Sequence, residues 1–171
     1  MVVSVTRSLC RFWPWTSSSK QVLMLHELED VLEMCGAESL SPLALRDIAR
    51  VLARCVDTPH FQVCERALAM WQNETLCRGL LGGPPFAAII LPPLFPALSA
   101  QAFGHWNPSV ESLAKSVLGH YEKVAREDYL KCVDSLQEAS GGGGGGGGGG
   151  KGAKGANSRR WDALDRSGFI E

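Results

Sequence analysis

The 171-residue sequence has few of the signals that indicate a β-sheet. No long run alternates β-branched with polar residues, and no Asn-Gly or Asp-Gly hairpin turn occurs. An excess of charge is also absent, since the formal net charge at pH 7 is −1. Nucleic-acid-binding domains usually carry a basic face, so we expect no nucleic-acid partner. The sequence therefore predicts an all-α protein of another functional class.

Closely spaced cysteine pairs are missing, although the chain has six cysteines. They lie at positions 10, 35, 55, 64, 77 and 132, and the four histidines do not pair with them to form a zinc site. Most of the cysteines occupy apolar positions of helical patterns, where a reduced thiol acts as a small core residue. We therefore expect no metal or other cofactor, and a reducing compartment: the cytoplasm, the nucleus or both.

Catalytic motifs are absent as well. No Gly-x-Ser-x-Gly elbow is present. The ten glycines at 141–150, followed by Lys151, imitate a phosphate-binding loop. However, the next residue is glycine rather than serine or threonine, and no strand precedes the glycines. We therefore expect a protein that is not an enzyme.

The glycine tract divides the chain into three parts. Residues 1–140 have the composition to bury a core. Residues 141–157 are predicted to form a disordered linker, because glycine has the most backbone freedom to lose. In residues 158–171, Trp161 and Leu164 fall on one face of a short predicted helix.

Formal charge is missing from residues 79–110, which raises the question of a membrane helix. About 20 apolar residues suffice to cross a bilayer. The longest unbroken apolar run, residues 86–91, has only six, and glycines and prolines interrupt the rest. We expect instead a kinked helix wedged between two others, with Pro92 and Pro93 breaking its hydrogen-bond ladder, and no membrane partner.

Helix starts are the clearest features that the sequence does contain. A capping residue followed by proline, which favours the first helical position, occurs at Ser41-Pro42, Thr58-Pro59 and Asn107-Pro108. Another start is predicted near Ser18 or Ser19, and Gly36 is predicted to end that helix. Apolar residues recur every three to four positions, in units of about 40 residues. This pattern is typical of a HEAT or armadillo solenoid.

Four sequence blocks carry a resemblance to a known family. They are Arg11-Phe12-Trp13-Pro14, residues 25–32, residues 60–71 and His105-Trp106-Asn107. Together they resemble the C-terminal part of the B-prime family of regulatory subunits of protein phosphatase 2A, from about residue 5 to about residue 137. The positions that we assign to its signature are Trp13, Pro14, Glu27, Leu28, His60, Phe61, Gln62, Val63, Glu65, Arg66, Ala67, Leu68, Trp71, Pro92, Phe95, Pro96, His105, Trp106 and Asn107.

The resemblance implies a helical solenoid that binds the scaffold and catalytic subunits of the phosphatase and performs no chemistry itself. Family members carry further repeats upstream, with the pocket for Leu-x-x-Ile-x-Glu peptides among them. Two alternatives stay open: a generic HEAT-like adaptor that has lost phosphatase binding, and a truncated gene product with no independent role.

Residues 1–26 contain no acidic residue, a composition that also suits a mitochondrial transit peptide. Because the resemblance begins inside this segment, we interpret it instead as a solenoid helix. That helix is expected to turn Val2, Val5, Leu9 and Phe12 inward. Its outer face is then expected to expose apolar side chains, as an internal repeat would, and to promote self-association.

Two charged stripes are candidates for a partner-binding surface. Glu29 and Glu33 are one helical turn apart, and Arg46, Arg50 and Arg54 repeat at the same spacing on the next predicted helix. The stripes could be solvated faces or could pair with each other. Alternatively, one of them faces a partner protein, where arginine makes bidentate contacts with carboxylates.

The tryptophans and one charged dipeptide complete the candidate residues. Trp13, Trp71 and Trp106 lie in the family blocks, and we expect them in the core. Trp15 and Trp161 lie outside those blocks and are predicted to be exposed contact residues. Adjacent Glu65 and Arg66 are interpreted as an ionic pair that ties neighbouring helices together rather than as catalytic groups.

Overall fold

The protein is described by a computed structural model that covers residues 2–36 and 39–141. Its α-helices are α1 (Val2–Arg11), α2 (Ser18–Cys35), α3 (Pro42–Val56), α4 (Phe61–Ala69), α5 (Glu74–Leu76), α6 (Ala87–Ala102), α7 (Pro108–Val124) and α8 (Arg126–Gly141). Short turns of 3₁₀ helix (Met70–Gln72) and π helix (Cys77–Leu81) flank α5. These two ranges contain no strand, which confirms the all-α prediction. The predicted linker beyond Gly141 and the predicted tail helix lie outside the described residues.

Four of the predicted helix boundaries are formed as the sequence indicates. Ser41 and Asn107 accept hydrogen bonds from backbone amides of the first turns of α3 and α7. The proline that follows each cap occupies the first helical turn. Helix α2 begins after Ser17, which accepts from the Lys20 amide, and ends at Gly36 with a φ of 64°. Only glycine adopts that φ without strain, which explains the stop.

The predicted cap at Thr58 is wrong. Helix α4 begins at Phe61, with His60 at the N-cap position and no side-chain cap bond. Thr58 Oγ1 instead accepts from the backbone N–H of His60 (3.4 Å), so the hydroxyl closes a turn before the helix. Pro59 consequently precedes the helix rather than opening it.

The proline-rich segment forms one helix, as predicted, while the kink at Pro92 and Pro93 stays a prediction. Helix α6 continues through both and through Pro96, and all three prolines are exposed. A proline removes one ladder bond from the carbonyl four residues earlier, and on a solvent-facing side water can replace it. Within the described residues, no helix is both long and apolar enough to cross a membrane.

Helix α6 lies at the centre of the core. It packs against α3 on one side and α7 on another, and α8 also contacts it. Its inward face is mostly apolar: Ile90, Leu91, Leu94 and Leu98 have no exposed surface, and Ser99 is a buried polar residue of the same helix. Phe95 meets the Tyr129 ring of α8 edge-on at 5.4 Å between centroids. Burial of each such side chain contributes about 2 kcal/mol, so this face dominates the packing.

Helix α1 turns a different face inward from the one predicted. Thr6 is fully buried, whereas Val5 is 44% and Phe12 73% exposed. The predicted inward stripe is therefore wrong at these two positions. Apolar side chains are therefore exposed on α1 and just after it. Whether they drive self-association stays a prediction.

The turn after α5 leaves no space for a side chain at Gly82. The Gly82 amide donates to the Cys77 carbonyl oxygen (2.8 Å), and His120 Nε2 lies 3.0 Å from the Gly82 carbonyl oxygen. A Cβ at Gly82 would overlap both Cys77 and His120, whereas one at Gly79 would meet nothing within 4 Å. The two glycines therefore form a matched pair for substitution.

We expect Gly82→Ala to lower the free energy of unfolding by about 2 kcal/mol, because the added methyl group overpacks the turn. Gly79→Ala should be neutral or stabilising by up to about 1 kcal/mol. Urea unfolding followed by circular dichroism measures both. Equal effects of the two substitutions would contradict the packing of α7 against this turn.

Candidate functional site

The described residues offer little for catalysis. They contain no group of three or more His, Cys, Asp or Glu side chains that could hold a metal ion. Cys77 Sγ lies 3.4 Å from His120 Nε2, a contact that the sequence did not predict because 43 residues separate the two. Burial raises the pKa of the Cys77 thiol, so the sulfur stays protonated near neutral pH and is a poor nucleophile.

The cysteines are free thiols, three of them buried: Cys55, Cys64 and Cys132. Desolvation is the main cause that raises the pKa of Cys55 and of Cys64 to about 12. Such thiols carry no thiolate at neutral pH and serve as small core side chains.

A groove with several arginines on its rim lies between α1 and α3. Its volume is about 950 Å3, and Asp47, Val51 and Pro93 also contribute to its wall. We call it the arginine groove and define it by the side chains Arg7, Arg11, Phe12, Trp15, Arg50 and Arg54. It contains two residues of the predicted arginine stripe, whereas Arg46 lies exposed outside it.

The stripe arginines do not pair with Glu29 and Glu33, which was one of the alternatives. Arg50 Nη1 lies 3.6 Å from Asp47 Oδ1 on the same helix. The guanidinium of Arg54 lies 3.7 Å from the centroid of the Trp15 ring. Trp15 is therefore half-buried beneath an arginine, and the prediction of an exposed Trp15 is wrong.

Glu29 belongs to a polar cluster inside the solenoid rather than to a free surface. Arg66 Nη2 on α4 donates to Glu29 Oε2, and both side chains are only 15% exposed. Asn73 Nδ2 donates to Glu29 Oε1 (2.8 Å) and also to Glu33. Desolvation lowers the pKa of Arg66, which is the effect expected of a partly buried cation. The cluster ties α2 to α4 and to the turn before α5.

Glu65 and Arg66 do not pair with each other, which corrects the predicted ionic pair. Glu65 accepts a hydrogen bond from Ser109 Oγ on α7 (2.6 Å), while Arg66 reaches α2. Adjacent residues on a helix point in different directions, so each contacts a different neighbouring helix. They do tie helices together, but separately. Asn73 and Ser109 were missed because nothing in the sequence connects them to these partners.

The three family tryptophans occupy different environments. Trp13 and Trp71 are 4% and 8% exposed, and Trp71 Nε1 donates to Tyr121 Oη (3.3 Å). Trp106 is 72% exposed, so its predicted core position is wrong. It precedes α7 rather than lying within a helical stripe, and it meets the Phe61 ring edge-on at 5.6 Å. Trp161 lies outside the described residues.

The other signature positions divide between the core and the surface. Leu28, Val63, Ala67, Leu68 and Phe95 are buried, whereas Glu27, His60, Gln62, Pro92 and Pro96 are exposed. His105 Nδ1 accepts from the Asn107 amide (3.0 Å), just before Asn107 caps α7. This block therefore builds a helix start. Pro14 is half-buried between α1 and α2.

Comparison with known proteins places the chain in a family. The family model described as "Protein phosphatase 2A regulatory B subunit (B56 family)" matches residues 1–164. The chain belongs to the B56 family. The match covers the solenoid and continues past the glycine tract into the first part of the tail, to residue 164.

Individual relatives agree with this assignment. The chain is 36% identical over 135 residues to the B' eta isoform of the 59 kDa regulatory subunits of protein phosphatase 2A from Arabidopsis thaliana, which covers 79% of the chain and 26% of the relative. It is 36% identical over 129 residues to the delta isoform of the human 56 kDa regulatory subunits, at 75% and 21% coverage. A Caenorhabditis elegans regulatory protein of the same phosphatase is 38% identical over 114 residues, at 67% and 20%. This B56 chain thus spans about a quarter or less of each of these relatives.

We expect Arg66→Ala to lower the free energy of unfolding by about 3 kcal/mol, because it leaves Glu29 partly buried without its cation. The matched control is Arg78→Ala, which removes an arginine from an exposed ion pair with Glu74. Its effect should be about 0.5 kcal/mol or less. Guanidinium unfolding measures both. Similar midpoints for the two variants would show that the polar cluster contributes no more than a surface pair.

Proposed function

We propose that this chain acts as a non-catalytic regulatory part of protein phosphatase 2A that binds the scaffold and catalytic subunits. The observation that carries the proposal is the family match over residues 1–164, since the relatives are named as regulatory subunits of that phosphatase. Metal-dependent dephosphorylation of phosphoserine and phosphothreonine then belongs to the catalytic partner. The family match favours this function over that of a generic HEAT-like adaptor.

The solenoid architecture supports such a role physically. Helices that pack on their neighbours leave long outer faces free for a partner, and their relative positions are fixed by the core. The buried face of α6 and the Glu29–Arg66 contact hold α2, α3 and α4 in one arrangement. A surface built on those helices can therefore bind without a large loss of conformational entropy.

We place the partner contact on the arginine stripe of α3. Arg46, Arg50 and Arg54 are exposed and lie on the outward side of a helix whose other side is buried. Arginine is suited to this role because its planar guanidinium binds carboxylates through two parallel hydrogen bonds. Glu29 and Glu33 are less suited, because Arg66 and Asn73 already bind them.

Co-purification with the phosphatase tests the assignment. Tagged chain expressed with the scaffold and catalytic subunits should retain both, and the eluate should hydrolyse a phosphoserine peptide. The purified chain alone should show no hydrolysis. If the unaltered chain recovers neither the scaffold nor the catalytic protein, the proposed function is wrong.

Reversal of Arg46, Arg50 and Arg54 to glutamate should weaken this co-purification by about tenfold or more, since each attraction becomes a repulsion. Helicity measured by circular dichroism should be unchanged, because all three side chains are exposed. The control reverses three exposed cations elsewhere: Arg78, Lys115 and Lys131. Unchanged recovery of the phosphatase by the stripe variant, or an equal loss in the control, would contradict the placement on α3.

A further inference from the structure

We propose that the arginine groove binds a short peptide segment of a partner protein in which acidic side chains flank an apolar one. The groove combines a rim of cations from α1 and α3 with an apolar floor from α3, the segment after α1 and Pro93 of α6. Its volume of about 950 Å3 is within the range of pockets that hold small ligands or a few side chains.

The charge of the groove determines the sign of the ligand. Four arginines line it against one carboxylate, that of Asp47. Arg7 and Arg50 share this carboxylate, at 4.0 and 3.6 Å. One aspartate cannot neutralise four guanidinium groups, so the groove keeps a positive potential that attracts carboxylates.

Aromatic rings lie close to two of the arginines. The guanidinium carbon of Arg54 lies 3.7 Å from the Trp15 ring centroid, and that of Arg11 lies 5.7 Å from the Phe12 ring centroid. A guanidinium stacked on a ring keeps its N–H groups at the edge, in the plane where a carboxylate binds. The contact with Trp15 therefore orients Arg54 without using its hydrogen-bond donors.

The apolar part of the groove requires an apolar group on the ligand. Phe12 is 73% exposed and also borders a neighbouring shallow pocket with Val5 and Met24. Val51 and Pro93 add apolar surface to the groove itself. A leucine or phenylalanine side chain inserted here would cover Phe12, and an exposed aromatic residue of this kind is a typical anchor at protein interfaces.

The shape favours a peptide over a membrane surface. A bilayer is flat and anionic, whereas this site is concave and has Asp47 in its wall. A flat surface can reach only the rim of a concave site, whereas a peptide can place its side chains inside it. The inference rests on the proposed function and deepens it. Because Arg50 and Arg54 belong to both the stripe and the groove, the bound segment is part of the phosphatase contact on α3 rather than a separate protein held beside it.

The test uses the full chain without the phosphatase. The probe is a fluorescein-labelled peptide, Asp-Glu-Glu-Leu-Phe-Glu-Glu-Asp, and fluorescence anisotropy measures its binding. Two control peptides replace every acid with lysine, or replace the leucine and phenylalanine with serine. We expect saturable binding of the probe that weakens with added salt, and binding of each control weaker by about tenfold or more, equivalent to about 1.4 kcal/mol.

Variants of the chain locate the site. Arg11→Glu combined with Arg50→Glu leaves the Arg54–Trp15 contact intact, and Phe12→Ser removes the anchor from an exposed position. Each should weaken probe binding by about tenfold while the unfolding midpoint stays within the range of surface substitutions. The charge-matched control, Arg78→Glu with Lys115→Glu, should bind as the unaltered chain does.

Several results would overturn the proposal. These are equal binding of the lysine peptide, unchanged binding by the groove variants, and binding of phosphatidylserine vesicles but not of the probe. Sedimentation that shows a dimer abolished by Phe12→Ser, with no probe binding, would assign the groove to a second copy instead.

Probe binding by a chain that does not co-purify with the phosphatase would contradict only the proposed function. Co-purification without probe binding would contradict only the groove assignment.

Discussion

The burial of α6 is the constraint on which the rest of the structure depends. This helix has no charged residue, and its inward side chains are enclosed by α3, α7 and α8. A helix of this composition is stable in water only if its neighbours cover it. The prolines at 92, 93 and 96 are tolerated because they lie on the exposed side, away from the packed surface. The positions of α3 and α7 follow from this burial, and the groove is built on α3.

Polar contacts refine the arrangement that the core imposes. Arg66 joins α4 to α2 through Glu29, and Glu65 joins α4 to α7 through Ser109. The Glu29–Arg66 contact is largely shielded from water, so loss of one partner would leave a charge poorly solvated. Such contacts specify which helix lies beside which, whereas apolar surfaces are less selective. In a B56 chain this fixes the surface that a partner would meet.

The groove shows how one short segment can serve the core and the surface together. Trp13 is buried, Trp15 is half-buried beneath Arg54, and Phe12 is exposed. The side chains of this segment point in different directions as the chain leaves α1. Trp13 therefore belongs to the core, whereas Phe12 and Trp15 form the floor beneath the arginines. The positive charge then follows from Arg7 and Arg11 on one helix and Arg50 and Arg54 on the other.

The sequence alone was enough to predict the features that depend on residues close together in the chain. The caps at Ser41 and Asn107, the glycine stop at Gly36 and the all-α class depend on residues within a few positions of each other, and the B56 membership follows from ordered blocks. The prediction at Thr58 is wrong because a hydroxyl can close a turn as readily as it caps a helix. Contacts between residues far apart in the sequence could not be predicted. Examples are the contact of Glu29 with Arg66, 37 residues away, and the contact of Trp15 with Arg54. Such pairs form only when helices pack, so tertiary structure alone decided that Glu29 is internal, Trp106 exposed and the arginines part of a groove.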